Sequence, residues 1–438
     1  MKVPKRIASV LINSLKGGVV PRIGLPYVTV GRESEINALL HDIEIISEGG
    51  AAFRFVAGRY GSGKSFLLQT IRNYAMDRNF VVADADLSPE RRLQGTKGQG
   101  LATYKELIRN MATRTRPEGG ALSLILDRWI SNVQNEAMDF LGCSFDDPRL
   151  SAETEKRIRA VMSELNEMVH GFDFARLLTV YYRAYISGDD ESKARVIKWF
   201  RGEYSLKSEA KAELGVNIII TDDDWYEYIK LFAEFLKRAG YDGMIILIDE
   251  LVNIYKIPNS ITRQYNYEKI LTMYNDALQG KAHHLGIIMS GTLQCIEDQR
   301  RGIYSYEALR SRLEQGRFGS DEHADMLAPV IKLNPLSYEE MLVLTEKLAD
   351  IHAGLFDYER TMGQEELISF IKIEYGRIGA DKNITPREVI RDFIELLNIA
   401  FQNPELSVRE LLASEGFKYA VSDADSEKAD AEFAEFEI

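Results

Sequence analysis

The chain has 438 residues, enough to bury a large core and to fold as two or three units, and its apolar (45%) and charged (28%) fractions are those of a soluble globular protein. No apolar run approaches the length of a membrane span, and a net charge of −13 excludes a uniformly basic nucleic-acid binder. The two cysteines, Cys143 and Cys295, match no metal or redox spacing, as expected of a protein kept in a reducing cytoplasm.

The first segment begins with basic residues, but Ser9, Asn13 and Ser14 break its apolar run and no small-residue cleavage site follows. Ile7, Val10, Leu11 and Leu15 share one helical face instead, so residues 1–24 read as a helix followed by a turn at 17–21. Residues 27–36 then carry Val30-Gly31-Arg32-Glu33 ahead of a helix reaching about residue 48. Two readings stand: Ser34 caps that helix with acids in its first turn, or the backbone at Val30 and Gly31 covers an adenine ring.

Residues 53–57 form an apolar run, plausible as a buried strand, and Gly58 through Ser65 after it satisfy G-x-x-x-x-G-K-[ST], the phosphate-binding loop. Average residue usage gives this pattern by chance at about one per cent in a chain of this length. Gly58, Gly61 and Gly63 let the backbone turn its N–H groups inward around a polyphosphate, with Tyr60, Ser62 and Phe66 in the same cradle. The helix opened by Ser65 adds its positive end there. Lys64 is placed to reach the β- and γ-phosphates of ATP, and the Ser65 hydroxyl to ligate Mg2+.

A second strand is expected at 80–87, where Asp84 and Asp86 read either as metal ligands or as a strand end facing the site. From about 101 to 240 the pattern is helical, and Asp222, Asp223 and Asp224 precede an amphipathic helix at 225–239. Residues 244–248 are apolar and end in Asp249-Glu250, which suits a buried parallel strand delivering acids at its carboxyl end. Asp249 would support Mg2+ and Glu250 would polarise the water that attacks the γ-phosphate.

After a helix expected at 267–279, a third strand at 285–289 ends in Ser290-Gly291-Thr292. A hydroxyl there either positions the attacking water or, at Thr292, caps the next helix. Arg300, Arg301, Arg310, Arg312 and Arg317 crowd the following stretch. Arg310 and Arg312 lie two apart on one helix and face different ways, so one of them is a candidate arginine finger for a neighbouring subunit. Helices at 338–353, 363–375 and 386–401 close the pattern. Thr385 and Pro386 suit the start of the last one, whereas Arg387 in its first turn opposes the helix dipole and marks a candidate phosphate contact.

Lys64 and Asp249 are 185 residues apart, far more than two strand–helix units need, so about 112–215 reads as a helical insertion. Its Tyr181, Tyr182, Tyr185, Trp199, Phe200 and Tyr204 alternate with Arg183, Lys193, Arg195, Lys198 and Arg201. Such interleaving serves either single-strand stacking or a helical core with snorkelling cations. At the other end, residues 423–437 hold seven acids against one lysine, nearly half of the net charge, in what reads as a solvated, disordered tail.

The succession of Gly-Arg-Glu, phosphate loop, Asp-Glu strand, hydroxyl-ended strand, arginine pair and Pro-Arg helix resembles an AAA+ ATPase. The runs Gly49 to Ser65, Arg114-Thr115-Arg116-Pro117-Glu118-Gly119-Gly120-Ala121 and Ile248-Asp249-Glu250-Leu251 resemble the ATP-binding proteins of BREX-type phage-exclusion systems. The resemblance runs from about residue 21 to 401 and leaves out the acidic tail. It implies an α/β fold: a P-loop AAA+ core with a parallel sheet flanked by helices, a large helical insertion between the Walker A and Walker B strands, and a C-terminal helical lid. The corresponding divisions are 1–24, 25–111, 112–215, 216–334, 335–418 and 419–438. Carried over by position, Gly61, Gly63, Lys64 and Ser65 bind phosphate and Mg2+, Asp249 supports the metal, and Glu250 is the hydrolytic base. Ser290 or Thr292 takes the place of the first sensor, where such ATPases usually carry Asn. Arg310 or Arg312 is the finger and Arg387 the second sensor. The implied function is a cytoplasmic ATPase of an anti-phage system, forming a homo-oligomer and acting on DNA or on a partner such as a helicase. The alternative is a slow nucleotide switch that recruits an effector.

Overall fold

The computed structural model of the protein describes residues 3–314, 325–360, 362–376 and 385–413. Arg317 and the acidic tail lie outside the described residues.

Five runs form the strands β1 (Ala51–Ala57), β2 (Val81–Asp86), β3 (Met244–Asp249), β4 (Leu285–Gly291) and β5 (Val330–Lys332). They make one all-parallel sheet in the order β2-β3-β4-β1-β5. Its register sets Ala83 beside Ile246, Ile246 beside Ile287, and Ile287 beside Phe53. Every residue of β4 and all but the last of β3 are buried, which is why both runs are apolar without alternation. The chain leaves β1 for β2 at the far edge, while from β4 it returns past β1 to β5. Adjacent β1 and β4 thus send their connections in opposite directions. In an open α/β sheet the crevice outside the carboxyl ends at such a reversal is where ligands settle.

Seven helices connect β2 to β3: Gln99–Arg109, Leu122–Leu141, Pro148–Leu165, Gly171–Ser187, Asp190–Phe200, Lys207–Leu214 and Trp225–Arg238. Tyr181, Tyr182, Trp199, Phe200 and Tyr204 are buried in a core continuous with the sheet. The Lys193 ammonium sits over Tyr181 and Tyr185, at 5.6 and 5.3 Å, and that of Lys198 lies 4.2 Å from the Tyr204 ring centre. The aromatic and basic residues of this region therefore build a core with snorkelling cations, not a stacking surface.

Two elements differ from expectation. Asp222 accepts hydrogen bonds from the N–H groups of Gly98 (2.8 Å) and Leu101 (2.6 Å), so it serves the start of Gln99–Arg109 and not of the helix that follows it. The helix ahead of β4, Ser260–Leu278, begins seven residues earlier than its apolar pattern, capped by Asn259, which accepts from the Thr262 N–H at 2.9 Å.

The chain divides into two compact units. One takes Met1–Ile36, Gly58–Thr70 and Lys332–Ile438, the other Asn37–Ala57 and Ile71–Ile331. In the first, Lys5–Lys16 packs on Tyr338–Phe356 and Pro386–Gln402 around Leu11, Leu348, Phe370 and Phe393. Among the described residues no helix is long and apolar enough to cross a membrane.

Candidate functional site

The first unit carries the Gly58–Ser65 loop, the candidate phosphate cradle. Gly58 follows Ala57, the last residue of β1, and the helix Lys64–Asp77 begins directly after Gly63. Gly61 and Gly63 have φ of +75° and +96°, backbone that a side chain disfavours. A Cβ on Gly58 would meet Ser62 Oγ at 2.5 Å, and one on Gly61 would meet Thr385 Oγ1 at 2.8 Å, while the space beside Gly63 is open. Lys64 Nζ donates to the carbonyls of Gly58 (3.1 Å) and Arg59 (2.7 Å), drawing the two ends of the loop together. Ser62 Oγ is buried with no hydrogen-bond partner among the described residues. Val30 and Phe66 lie half-buried against the core of the same unit.

The loop is held by a residue that sequence reasoning missed. Arg32 is buried and donates to the carbonyls of Ser62 (3.2 Å) and Asn334 (2.9 Å) and to Glu35 (3.2 Å). It ties the Val30–Gly31 segment to the loop, and Gly31 at φ +65° makes the bend before it. The signal was available, because Arg32 stands just ahead of a helix start, where a cation opposes the dipole. The same rule singled out Arg387, whose guanidinium carbon lies 4.7 Å from the ring centre of Tyr60. Thr385 donates through its N–H (3.0 Å) and hydroxyl (2.9 Å) to the Glu388 carboxylate, fixing the first turn that carries Arg387.

The second unit carries the acids. Asp249 ends β3, and its Oδ1 accepts from the Ser290 hydroxyl and from the Glu250 N–H at 2.7 Å. Ser290 is fully buried. Glu250 has φ +63°, a conformation costly for a residue with a side chain and concentrated at functional positions. Asp86 is the register neighbour of Asp249 across the β2–β3 ladder. Although one side of Asp86 meets solvent, desolvation at the strand end, then the charges of Asp249 and Asp84, hold its carboxyl above the ordinary value. Asp84 pairs with buried Arg72 at 3.1 Å, so the two acids foreseen on this strand have different duties.

Thr292 accepts from the Cys295 N–H at 3.3 Å and caps Leu293–Glu297, the second of the two readings its position allowed. On Glu307–Leu313, Arg310 pairs with Glu314 at 3.4 Å, whereas Arg312 donates to the Ala308 carbonyl at 2.6 Å.

A model of the family described as BREX system ATP-binding protein BrxC/D matches residues 3–416. The chain belongs to that family. As a BrxC/D chain it is an ATP-binding protein of a phage-defence system. The match takes in both units, so the loop and the Asp-Glu strand both lie inside it. No curated relative matches the chain.

Proposed function

We propose that this chain binds ATP with Mg2+ at the Gly58–Ser65 loop and hydrolyses it, on an AAA+ core that passes its nucleotide state to a homo-oligomer, DNA or another protein of the defence system. The observation that carries hydrolysis is the backbone of Glu250, held at φ +63° with its N–H on the Asp249 carboxylate. A strained acid at the carboxyl end of a buried parallel strand suits a general base.

In this reading Lys64 and the loop N–H groups bind the β- and γ-phosphates. Magnesium, when bound, neutralises phosphate charge and needs few protein oxygens, for which Ser65 and Asp249 have the right chemistry. Ser290 keeps the Asp249 carboxylate in one orientation. Glu250 accepts a proton from the attacking water as its oxygen bonds to the γ-phosphorus; the bond to the bridging oxygen breaks and ADP retains the electron pair. Arg387 supplies a cation beside the loop, and Arg310 or Arg312 reaches the γ-phosphate of a neighbouring subunit.

Phosphate release by wild type, Lys64→Ala and Glu250→Gln protein tests the proposal. We expect Lys64→Ala to lose nucleotide binding and Glu250→Gln to keep it while losing turnover. Wild-type protein inactive even with DNA and defence-system partners supplied would sink hydrolysis. For the finger, Arg310→Ala and Arg312→Ala protein are mixed with Lys64→Ala protein; activity unaffected by either rules out catalysis between subunits.

One observation favours a second reading. The Ser290 hydroxyl is engaged with Asp249, which leaves the first-sensor position without the water-holding amide of a fast ATPase. The chain would then act as a slow switch whose ATP state assembles a complex. Sedimentation profiles identical with and without ATP would eliminate that reading.

A further inference from the structure

Residues 114–121, Arg-Thr-Arg-Pro-Glu-Gly-Gly-Ala, have no part in the ATP chemistry above, yet the fold builds them with care. Ala112 exchanges backbone hydrogen bonds with Val82 (2.8 and 3.0 Å), which fastens the segment to the β2 edge of the sheet. Thr113 and Arg116 exchange another pair (3.2 and 3.0 Å), closing a tight turn. The buried Arg72 donates to the Pro117 carbonyl at 2.5 Å, and the Gly120 N–H to the Arg109 carbonyl at 2.8 Å. The turn is therefore rigid, and it projects Arg114 and Thr115 outward.

Beside it opens a cavity of about 250 Å3 that Thr113, Arg114 and Thr115 line together with Phe80, Arg128 and Tyr241. Phe80 and Tyr241 precede β2 and β3, so the cavity lies at the amino edge of the sheet. Asp249 stands at the carboxyl edge, about 20 Å away for six residues of strand. The Arg128 guanidinium lies over the Tyr241 ring, 5.5 Å from its centre, and Tyr241 is buried. Tyr241 also accepts a side-chain hydrogen bond from Arg128, which fixes the guanidinium beside the ring, and a guanidinium offers a planar face on which a base can stack. Arg114 is 76% exposed and meets Asp77 at 3.8 Å, a loose surface pair that costs little to break.

We propose that this cavity takes one nucleotide of a single-stranded nucleic acid. The base stacks on the Arg128–Tyr241 platform, and the backbone phosphate meets Arg114 with the Thr115 hydroxyl beside it. Cationic rim and planar platform are the two components of sequence-tolerant strand binding. A concave site requires a splayed base, which a duplex does not present. The acidity of the whole chain does not oppose this, because nearly half of it resides in residues 423–437.

Fluorescence anisotropy of the full chain with labelled oligo(dT) and oligo(U) of about 20 nucleotides, and with a blunt duplex of equal length, tests the site. We expect one of the single strands to bind more tightly than the duplex. Arg128→Ala should weaken that binding at least about fivefold, the loss of one stacked base, and Arg128→Lys should weaken it less. Arg114→Glu should weaken it further and flatten its salt dependence. ATP binding should not change in any variant, since both arginines are exposed side chains outside the Gly58–Ser65 loop, and loss of the cation–π pair in Arg128→Ala should lower Tm by no more than about 4 °C. Absence of binding at low salt, preference for the duplex, or single-strand affinity untouched by Arg128→Ala and Arg114→Glu would each overturn the proposal.

Discussion

The guanidinium carbon of Arg387 lies 4.7 Å from the centre of the Tyr60 ring, which joins the first turn of a C-terminal helix to the tip of the Gly58–Ser65 loop. Gly61 next to Tyr60 has Thr385, the residue before that helix, where its Cβ would be. Loop and helix start thus meet at two neighbouring pairs. Under the proposed ATP binding at this loop, a phosphate held there would lie within the field of Arg387 and be sensed at the start of the helix.

Replacing Arg387 separates the stacking from the charge. An exposed cation–π pair contributes about 0.5–1 kcal/mol, so Arg387→Ala should lower Tm by no more than about 4 °C. If the cation acts on developing phosphate charge, turnover should fall at least about tenfold, and Arg387→Lys should recover part of it. Steady-state phosphate release and thermal melting make the comparison. Unchanged turnover in Arg387→Ala would remove this residue from the site.

Asp86 gives a prediction with a definite sign. Its carboxyl is held above the ordinary value, so the folded chain binds that proton more tightly than the unfolded one. Stability should therefore fall as pH rises from the ordinary carboxylate range through the raised value, and the penalty is complete above it. Asp86→Asn should raise Tm at neutral pH, and the gain should vanish as pH drops below about 4. Melting curves across that interval check it. A gain independent of pH, or a loss at neutral pH, would contradict the carboxylate crowding at the ends of β2 and β3.

The sheet depends on a buried ion pair. Arg54 in β1 donates twice to Asp42, both at 2.7 Å, and to the carbonyls of Leu327 and Ala328 at 2.6 Å, just ahead of β5. Removing one member leaves a buried charge, so Arg54→Ala should cost about 3–5 kcal/mol. Combining it with Asp42→Ala should cost less than the two separate losses added. Denaturant unfolding of the single and double variants measures this, and strict additivity would refute the pairing.

The phosphate loop and the Asp-Glu strand were legible because each joins a short apolar run to residue types that few other structures demand. The start of the last long helix was legible from Thr385-Pro386 for the same reason. Strand order was not, since β1, β3 and β4 are alike in being apolar on both faces. β5 has three residues, too few for a period. The helix Ser260–Leu278 hid its first two turns because they bury polar groups. Asn266 accepts from the N–H groups of Leu93 (2.9 Å) and Gln94 (3.0 Å), and Arg263 donates to the Ile257 carbonyl at 2.7 Å. Sequence shows only neighbours in the chain, so it points Asp222 to the helix that follows it and not to Gly98 and Leu101, more than a hundred residues earlier. Arg32 is not legible as an anchor because its partners, the carbonyls of Ser62 and Asn334, lie 30 and 302 residues away in the chain.

The most direct test is the fate of a single bound ATP. Wild-type and Glu250→Gln protein are each loaded with γ-labelled ATP and magnesium, with nucleic acid and defence-system partners present, and the nucleotide is followed in a single turnover. The account predicts conversion to ADP and phosphate on the wild-type protein and persistence of intact ATP on Glu250→Gln at similar occupancy. Equal rates of ATP loss on the two proteins would contradict it.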